Sequence, residues 1–390
     1  MAIDKYFTDK NVREVGVVIL RSNPFDADSR VEKVAKSLLK AGYKVSLLGW
    51  DRNSKYKTRK TITEVSEGSL NAYRMGIMAE FGAGAKNLKP FLLFQIGVFK
   101  WLIKNRNEYK IIHACDFDTA FSAYFCAKLL KKHIVFDIFD YLFTRIEGKH
   151  QFLKRRIVYF QHKIINYADA TIICSEKRKE QIKGTHPKNL VVIHNSPPKT
   201  ESTLNSFTLD SDKVKIIYVG ILQDHRYLKE LTEVVKANKA WELHIGGFGK
   251  YDKYFKEQAA NNKNIIYYGK LSYTQALKLE SAGDIMTAIY DPSIDNHYYA
   301  APNKFYEALM LGKPLIMVKN TGMSDIVEKN DIGEVIEYNA KSLEKAINNL
   351  IERRTEWPMM RDRMRGIYEK DYSWKLMEER LIDLYRRIDK

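Results

Sequence analysis

Short apolar segments rich in β-branched residues alternate along this chain with longer segments of helical periodicity. Alternation of this kind is typical of parallel sheets whose strands are joined by crossover helices. The stretch from Ser29 to Ala41 reads as one such helix, which ends at Gly42. The strand candidates of the first half are Val15–Leu20, Lys44–Trp50, Tyr109–Ala114, His133–Phe139, Ala170–Ser175 and Asn189–Asn195.

A second series of apolar segments follows a stretch rich in Ser, Thr and Pro, Ser196–Asp212, which is typical of a linker. Because 390 residues exceed one ordinary core, we predict two doubly wound α/β domains, residues 1–195 and 196–372. We expect them to face each other across a cleft that holds the active site. The second series consists of Val214–Gly220, Trp241–Gly247, Asn264–Gly269, Asp284–Tyr290 and Lys313–Val318.

The C-terminal segment, residues 373–390, spaces its apolar side chains at nearly helical intervals. We therefore predict an amphipathic helix with a structural role, which packs back on the N-terminal domain. The residues of its apolar face are Trp374, Leu376, Met377, Leu381, Leu384 and Ile388.

The chain carries a net charge of +17, and nearly all of it lies in the N-terminal half. Residues 1–190 contain 35 lysines and arginines against 19 aspartates and glutamates, whereas residues 191–390 contain 30 against 29. This excess of positive charge in one half predicts that the N-terminal half faces an anionic partner. Nucleic acid, an acidic membrane surface or a phosphorylated acceptor would each satisfy it, and a merely soluble basic surface is the alternative.

Cysteine usage and the N-terminal residues indicate the compartment. The three cysteines, Cys115, Cys126 and Cys174, lack the spacing of metal ligands and are odd in number. This usage predicts a reducing compartment and no structural zinc. The first ten residues are polar and show no apolar core before a cleavage site, so we expect no secretory signal.

The first of two basic amphipathic stretches contains the apolar run Phe91–Ile103. This run is shorter than the roughly 20 residues that span a bilayer. Its aromatic residues beside basic ones suit a helix that lies at a membrane interface, with Lys100, Trp101 and Lys104 as contacts. A core helix beneath the sheet is the alternative.

The second basic stretch, Lys149–Lys163, contains Lys154, Arg155 and Arg156 in succession. Basic clusters beside apolar side chains bind acidic bilayers. The two stretches therefore favour an anionic membrane or a lipid-diphosphate acceptor. Nucleic acid is not expected, because no recognised nucleic-acid motif accompanies the charge.

The most informative motif lies in Tyr298–Met317. Pro302 suits the entrance of a helix, and the backbone amides near Asn303 and Lys304 are then available to an anion. Lys304 adds positive charge for a diphosphate, and Glu307 can accept two hydrogen bonds from a ribose diol. As a pattern alone, the segment also suits an ordinary helix-to-strand unit.

A second candidate wall of the site is Tyr218–Leu231. A strand that ends at Gly220 lets its backbone approach a ligand closely. Arg226 and Lys229 follow at the start of the next helix, where a leaving diphosphate needs positive charge, although either cation also suits a solvated helix face. Gly247, within a Gly-Gly-Phe-Gly stretch, repeats the strand-end glycine.

These segments, in this order, resemble the family-four (group 1) glycosyltransferases, which have the GT-B fold of two Rossmann-like domains. That family combines a strand ending in Tyr-x-Gly, an arginine or lysine, a glycine-rich strand end and a Pro-Asn-Lys-x-x-Glu stretch followed by Gly-Lys-Pro. The last stretch is matched by Pro302, Asn303, Lys304, Glu307, Gly312, Lys313 and Pro314. The likeness spans nearly the whole chain, since it extends to Asp26–Leu48, His113–Lys128, Phe136–Asp140 and His194–Pro198.

The resemblance implies transfer of a sugar from a nucleoside diphosphate, commonly with retention of configuration and without a metal or other cofactor. It implies that Glu307 binds the ribose, that Asn303 and Lys304 bind the diphosphate region, and that Arg226 or Lys229 binds the leaving phosphates. The N-terminal domain would then take the acceptor.

Two departures from the family pattern bear on the chemistry. The first acidic residue of a pair that ends at Glu307 is replaced by Tyr299, so its contact to the donor sugar is unassigned. Where the family has His-x-His-Asp, this chain has His113, Ala114, Cys115 and Asp116, so the second histidine is replaced by Cys115.

The catalytic candidates are then His113, Asp116 and Asp118, although His113 also suits a satisfied histidine at a strand end. The carboxylate triplets Asp116–Asp118 and Asp26–Asp28 suit magnesium, but no neighbouring residues complete a coordination shell. We therefore expect no metal site.

We predict a cytoplasmic glycosyltransferase, peripheral on the inner face of the cell membrane. It would move a sugar from a UDP- or GDP-type donor to a lipid-linked or polysaccharide acceptor in bacterial-type envelope glycan synthesis. A nucleotide-sugar epimerase of the same fold is one alternative. A nucleotide-sugar or glycan binding protein that has lost catalysis is another, because Cys115 and Tyr299 depart from the family pattern.

Overall fold

The computed structural model describes residues 15–25, 28–65, 67–80, 84–141, 151–199 and 208–390. The chain divides into two compact units. The N-terminal unit comprises Met1–Ile193 together with Glu378–Lys390, and the C-terminal unit comprises His194–Met377. The sequence-based boundaries after residues 195 and 372 lie close to these divisions.

The N-terminal unit contains an eight-stranded sheet in the order β3-β4-β2-β1-β5-β6-β7-β8. All neighbouring strands are parallel except β3 and β4, which pair in antiparallel fashion. The strands are β1 Gly16–Arg21, β2 Lys44–Asp51, β3 Tyr56–Val65, β4 Gly68–Gly76, β5 Ile111–Cys115, β6 His133–Ile138, β7 Ala170–Ile173 and β8 Leu190–Val192.

Five α-helices among the described residues connect these strands. Helix α2 packs on α3, and α3 packs on α4. Asp28 caps the first helix, because its side chain accepts a hydrogen bond from the Val31 amide. The helices are α1 Ser29–Lys40, α2 Leu88–Lys104, α3 Phe117–Leu130, α4 Gln151–Tyr167 and α5 Arg178–Gln181.

The C-terminal unit contains a six-stranded parallel sheet in the order β11-β10-β9-β12-β13-β14. Numbered from its own first strand, this order is 3-2-1-4-5-6, that of a doubly wound nucleotide-binding sheet. The order reverses between β9 and β12. The strands are β9 Val214–Ile221, β10 Trp241–Phe248, β11 Ile265–Tyr267, β12 Ile285–Ala288, β13 Leu315–Val318 and β14 Gly333–Ile336.

The helices of this unit surround one apolar cluster, to which strands β9 to β14 and helices α6, α7, α8, α10, α11, α12 and α13 contribute buried side chains. They are α6 Leu228–Ala237, α7 Asp252–Asn261, α8 Tyr273–Ala282, α9 Asp295–Tyr298, α10 Asn303–Leu311, α11 Ser324–Lys329, α12 Ala340–Glu352 and α13 Trp357–Ile367.

The last helix, α14 Trp374–Ile388, crosses the division between the units. From Glu378 onward it belongs to the N-terminal unit, and Leu381, Leu384 and Tyr385 are fully buried there. The Tyr385 hydroxyl lies 2.8 Å from the Nδ1 of His113 in strand β5. The C-terminal segment thus forms the helix that its apolar spacing predicts.

The predicted α/β class with two doubly wound sheets is confirmed, and each predicted strand coincides with an observed one to within a few residues. Three strands were not predicted: β3, β4 and β14. β3 is charged and largely exposed at the sheet edge, so it lacks the apolar run of a buried strand. The predicted linker falls in part on residues 200–207, outside the described residues.

Candidate active site

The carboxyl ends of β9 and β10 approach each other closely at two glycines. A Cβ on Gly247 would lie 1.8 Å from the carbonyl oxygen of Gly220, and the φ of Gly247 is +142°. Only glycine meets both conditions, because a side chain would collide with this carbonyl and would strain the backbone. The two strand-end glycines therefore let β9 and β10 approach each other at the edge where doubly wound sheets bind ligands, and the predicted approach of a ligand to Gly220 stays a prediction.

Lys304 extends from the first turn of α10 to the end of β9. Its Nζ lies 4.5 Å from the centre of the Tyr218 ring and would be 2.6 Å from a Cβ on Gly220. The side chain is 9% exposed, and burial alone would lower its pKa. Tyr218, Tyr290, Glu307 and Glu280 nevertheless raise the pKa of Lys304, so the amine remains a cation.

Arg226 stands in the turn between β9 and α6, between two residues with positive φ: His225 at +62° and Tyr227 at +57°. Such backbone costs on the order of 1–2 kcal/mol per residue and persists only where other contacts hold it. The His225 Nδ1 lies 2.9 Å from the Asp291 carboxylate, and the Tyr227 ring packs 4.4 Å from that of Tyr338. These contacts fix the turn that presents the guanidinium.

The Arg226 guanidinium lies 3.9 Å from the centre of the Tyr290 ring, just beyond the end of β12. Arg226 and Lys304 therefore both contact tyrosines at the point where the strand order of the sheet reverses. Lys229 points elsewhere, because its Nζ lies over the rings of Tyr251 and Tyr254 at 4.7 and 5.5 Å. Of the two cations predicted for the leaving phosphates, the structure groups Arg226 with Lys304.

Helix α10 begins where the sequence predicts. Pro302 precedes it with extended backbone and offers no side-chain cap. The Phe305 amide donates to the Pro302 carbonyl, so the amides of Asn303 and Lys304 are the ones available to an anion. Asn303 is exposed and accepts a hydrogen bond of 2.8 Å from Asn195. Gly312 ends the helix at a φ of +69°.

Glu307 lies on the buried side of α10 and is 6% exposed. It accepts a hydrogen bond from the hydroxyl of Tyr273 in α8, and this interaction, after burial, contributes to the raised pKa of Tyr273. Glu280, also in α8, is 2% exposed and faces Glu307 and Lys304. Burial and the charge of Glu307 hold the pKa of Glu280 well above its ordinary value.

The N-terminal unit brings Asp116 to the carboxyl ends of β1, β5 and β6. Its carboxylate accepts hydrogen bonds from the Nη1 of Arg21 at 2.6 Å and from the backbone amides of Phe139 and Asp140 at 2.9 Å each. Burial and the nearby Asp118 and Asp140 raise the pKa of Asp116 to about 6, although Arg21 opposes the rise. Asp116 therefore joins three strand ends, and its catalytic role remains a prediction.

His113 is 1% exposed, and both of its ring nitrogens have partners. Nδ1 contacts the Tyr385 hydroxyl, and Nε2 lies 3.4 Å from Asp137. Asp137 in turn forms an ion pair with Arg30 at 2.7 Å, and Arg30 also donates to the carbonyl of Ile193. This geometry favours the alternative of a satisfied buried histidine, because no ring nitrogen reaches the surface.

Asp118, in the first turn of α3, has one buried carboxylate oxygen without a hydrogen-bond partner among the described residues. Of the other acidic triplet, Asp28 forms an ion pair with Arg21, and Asp26 lies outside the described residues. The described part of the chain contains no group of three His, Cys, Asp or Glu residues placed to hold a metal ion. The expectation of a metal-independent reaction stays a prediction.

Helix α2 has one buried and one exposed apolar face. Leu92, Leu93 and Ile96 are exposed by 52%, 49% and 51%, beside the exposed Lys100 and Lys104. The buried face is that of a core helix, as the alternative interpretation predicts, and the membrane contact of the exposed face stays a prediction.

Trp101 lies on the buried face of α2. It is 8% exposed and packs edge-on against Tyr73 at 4.9 Å. Its predicted role as a membrane contact is wrong, since helical spacing turns it away from the exposed face.

Helices α3 and α4 also expose apolar side chains, namely Phe125, Leu129, Phe152 and Tyr159, and α3 packs against both α2 and α4. Arg155 and Arg156 are exposed on α4. The Arg156 guanidinium lies 5.1 Å from the centre of the Phe152 ring. The side chain of Lys154 is not among those that the structure describes. No helix among the described residues is both long and apolar enough to cross a membrane. The surface formed by Leu92, Leu93, Ile96, Phe125, Leu129, Phe152 and Tyr159 is called the α2–α4 surface below.

Two family models match the chain in succession. The model of glycosyl transferases group 1 matches residues 199–370, and the model of glycosyltransferase family 4 matches residues 27–196. The chain is a group 1, family-four glycosyltransferase. A search of curated proteins found no match.

Solved structures similar to this glycosyltransferase share its fold at low sequence identity. Sucrose-phosphate synthase from Thermosynechococcus elongatus is 14% identical, with a TM-score of 0.74 over 96% of this chain and 99% of that one. Anabaena HepE in complex with UDP is 12% identical, with a TM-score of 0.67 over 96% and 100%. The lipopolysaccharide outer core galactosyltransferase WaaB is 16% identical, with a TM-score of 0.60 over 96% and 99%. The fold is GT-B.

Sequence reasoning about the glycosyltransferase missed Glu280, Tyr218, Tyr273 and Tyr290. Glu280 and Tyr273 lie outside the family motifs, whereas Tyr290 was taken only as a strand residue and Tyr218 only as the tyrosine of the Tyr-x-Gly strand end. Tyr299, which replaces the expected acidic residue, ends α9, and its ring packs edge-on against Tyr298 at 4.8 Å. A phenol stands where the family has a carboxylate, so the contact to the donor sugar stays unassigned.

Proposed function

We propose that this glycosyltransferase takes a UDP-sugar donor at the carboxyl edge of its C-terminal sheet. The observation that carries the proposal is the grouping of Arg226, Lys304 and the uncapped N-terminus of α10 around Gly220 and the strand-order reversal. Two cations and free helix amides suit a diphosphate. HepE, whose fold is similar, was solved in complexes with UDP and with UDP-glucose, which supports uridine as the base.

In this proposal, different residues bind different parts of the donor. Glu307 accepts the ribose hydroxyls, the amides near Asn303 and Lys304 hold the phosphates, and Arg226 stabilises the charge that develops on the leaving diphosphate. Glycine at 220 and 247 gives the nucleotide access to the backbone. We propose that transfer proceeds with retention and without a metal, as the family resemblance implies.

The donor class can be tested with labelled UDP- and GDP-sugars, with and without a membrane extract as the source of acceptor. UDP release that depends on the acceptor supports the proposal. Isomerisation of the donor without acceptor would point to an epimerase, and binding without turnover would point to a binding protein. A thermal-shift screen of the same nucleotides identifies the base, because a selective ligand stabilises the folded protein.

We further propose a lipid-linked or polysaccharide acceptor, reached from a cytoplasmic position on the inner face of the cell membrane. The α2–α4 surface supports this, because its exposed apolar side chains adjoin basic ones in the half that carries nearly all the net charge. Sugar transfer in envelope glycan synthesis suits such an acceptor. WaaB, a similar structure, is a lipopolysaccharide outer core galactosyltransferase.

Replacing Lys89 and Lys100 of α2 by glutamine is expected to weaken binding to vesicles of phosphatidylglycerol and phosphatidylcholine. Each basic residue near an anionic surface contributes ~1 kcal/mol, so the pair should cost roughly 10- to 30-fold in affinity. Cosedimentation at low and moderate salt measures the change, which should shrink as salt screens the charges.

The matched control replaces Lys253 and Lys345 of the C-terminal unit, both exposed, by glutamine. It removes the same net charge but should leave vesicle binding almost unchanged. Equal losses in both double variants would mean that net charge alone directs binding, and would refute a specific surface. A Leu92→Ser, Ile96→Ser variant should also weaken binding while the charge stays constant.

A further inference from the structure

Glu280 is a buried acidic residue that has no assigned role in the proposed donor site. It lies in α8, which packs against α10, and it is 2% exposed. Its Oε2 has no hydrogen-bond partner among the described residues. An ionised carboxylate in such a place would lose its hydration without compensation, so a neutral form is favoured.

The groups that face Glu280 are two from α10 and one from its own helix. Glu307 and Lys304 act on it electrostatically, and Tyr273 lies within the same cluster and hydrogen-bonds to Glu307. Lys304 faces Tyr218 and Tyr290 as well. One ammonium can balance one of the two carboxylates, so a second ionised carboxylate would leave an uncompensated charge on a buried side chain.

We propose that Glu280 is a positioning residue of the donor site, which holds a proton between two carboxyl groups and thereby orients Glu307 toward the donor's ribose. The proton leaves Glu307 as the single anion of the cluster, and the positive charge of Lys304 balances it electrostatically. This inference rests on the proposed donor site, because it assigns Glu280 a role only through Glu307.

The held proton predicts a pH-dependent stability. Folded protein keeps the proton on Glu280, whereas the unfolded chain releases it above its ordinary pKa of 4.5. Rising pH therefore favours unfolding by about tenfold per pH unit until the folded-state pKa is reached. Glu280→Gln abolishes this contribution, so as pH rises from 4.5 toward the folded-state pKa, the thermal midpoint of the wild type should fall relative to that of this variant by about 4 °C per pH unit.

The matched control is Glu257→Gln on α7, where the carboxylate is exposed. Its midpoint should differ from that of the wild type by the same amount throughout this pH range. A pH-independent difference for Glu280→Gln as well would overturn the held proton.

The positioning role is tested by UDP affinity at pH 7, measured by calorimetry on the full chain. Glu280→Leu, which cannot donate a hydrogen bond, should bind UDP about tenfold more weakly, since the proposed hydrogen bond from the protonated Glu280 to the Glu307 carboxylate is lost. Glu280→Gln should restore most of this affinity. Unchanged affinity in Glu280→Leu would overturn the role and leave Glu280 a packing residue.

Glu307→Ala separates the two proposals. If this variant binds UDP as the wild type does, the donor site itself is misplaced. If it loses UDP while Glu280→Leu keeps it, only the role of Glu280 fails.

Discussion

Glu307→Ala is expected to lower UDP affinity and kcat/KM for the donor by roughly two to four orders of magnitude. Two hydrogen bonds from a ribose diol to a carboxylate contribute about 1.5–3 kcal/mol each, and both are lost together. The loss should appear in UDP binding as well as in turnover, because the ribose is bound before and during transfer. Calorimetry with UDP and steady-state kinetics with the UDP-sugar measure the two.

Folding has to be separated from binding in this experiment, because Glu307 is buried beside Lys304 and Tyr273. Glu307→Gln keeps the shape and one acceptor oxygen, so it should retain more affinity than the alanine variant. Glu257→Ala, on the exposed side of α7, should change neither quantity. Wild-type UDP affinity in a folded Glu307→Ala protein would reject the assigned ribose site.

Gly247→Ala is expected to destabilise the C-terminal unit by on the order of 4 kcal/mol, which corresponds to a thermal midpoint lower by about 10 °C. The new Cβ would lie 1.8 Å from the Gly220 carbonyl oxygen, and a φ of +142° is strained for alanine. Strands β9 and β10 would have to separate at their carboxyl ends. UDP affinity should therefore fall as well.

Two other glycines serve as matched controls. Gly269 also has a positive φ, +67°, but a Cβ there meets no atom within 4 Å, so alanine should cost only about 1 kcal/mol. Gly366 lies in helix α13 with open space around it, and alanine should stabilise it slightly. If Gly247→Ala melts like Gly269→Ala, the close approach of the two strands is not essential.

The agreement between sequence and structure is best where the signal is local. Pro302 and Gly312 bound α10 as predicted, because a fixed φ and a left-handed terminus act within one turn of the chain. The strand candidates succeed for the same reason: buried parallel strands read as continuous apolar runs. Strand β3 was not predicted, because it lies at the exposed edge of the sheet and its sequence therefore lacks a continuous apolar run.

Helix orientation is the point at which sequence reasoning fell short. The composition of α2 suits a core helix and an interfacial helix equally, and only its packing against α3 decides that Trp101 is buried while Leu92 and Ile96 are exposed. His113 likewise reads as a catalytic candidate from its motif. Its environment comes from Asp137 and Tyr385, which the sheet and the C-terminal helix bring to it.

The sequence by itself determined the two-sheet α/β architecture, the family motif at Pro302–Pro314 and the identity of the cations available to a diphosphate. These features depend on periodicity and spacing within single segments. Only the tertiary structure decided that Arg226, and not Lys229, joins Lys304, and that Glu280 of α8 faces Glu307 of α10. Contacts between separate elements depend on how those elements pack, and no local pattern of residues encodes that choice.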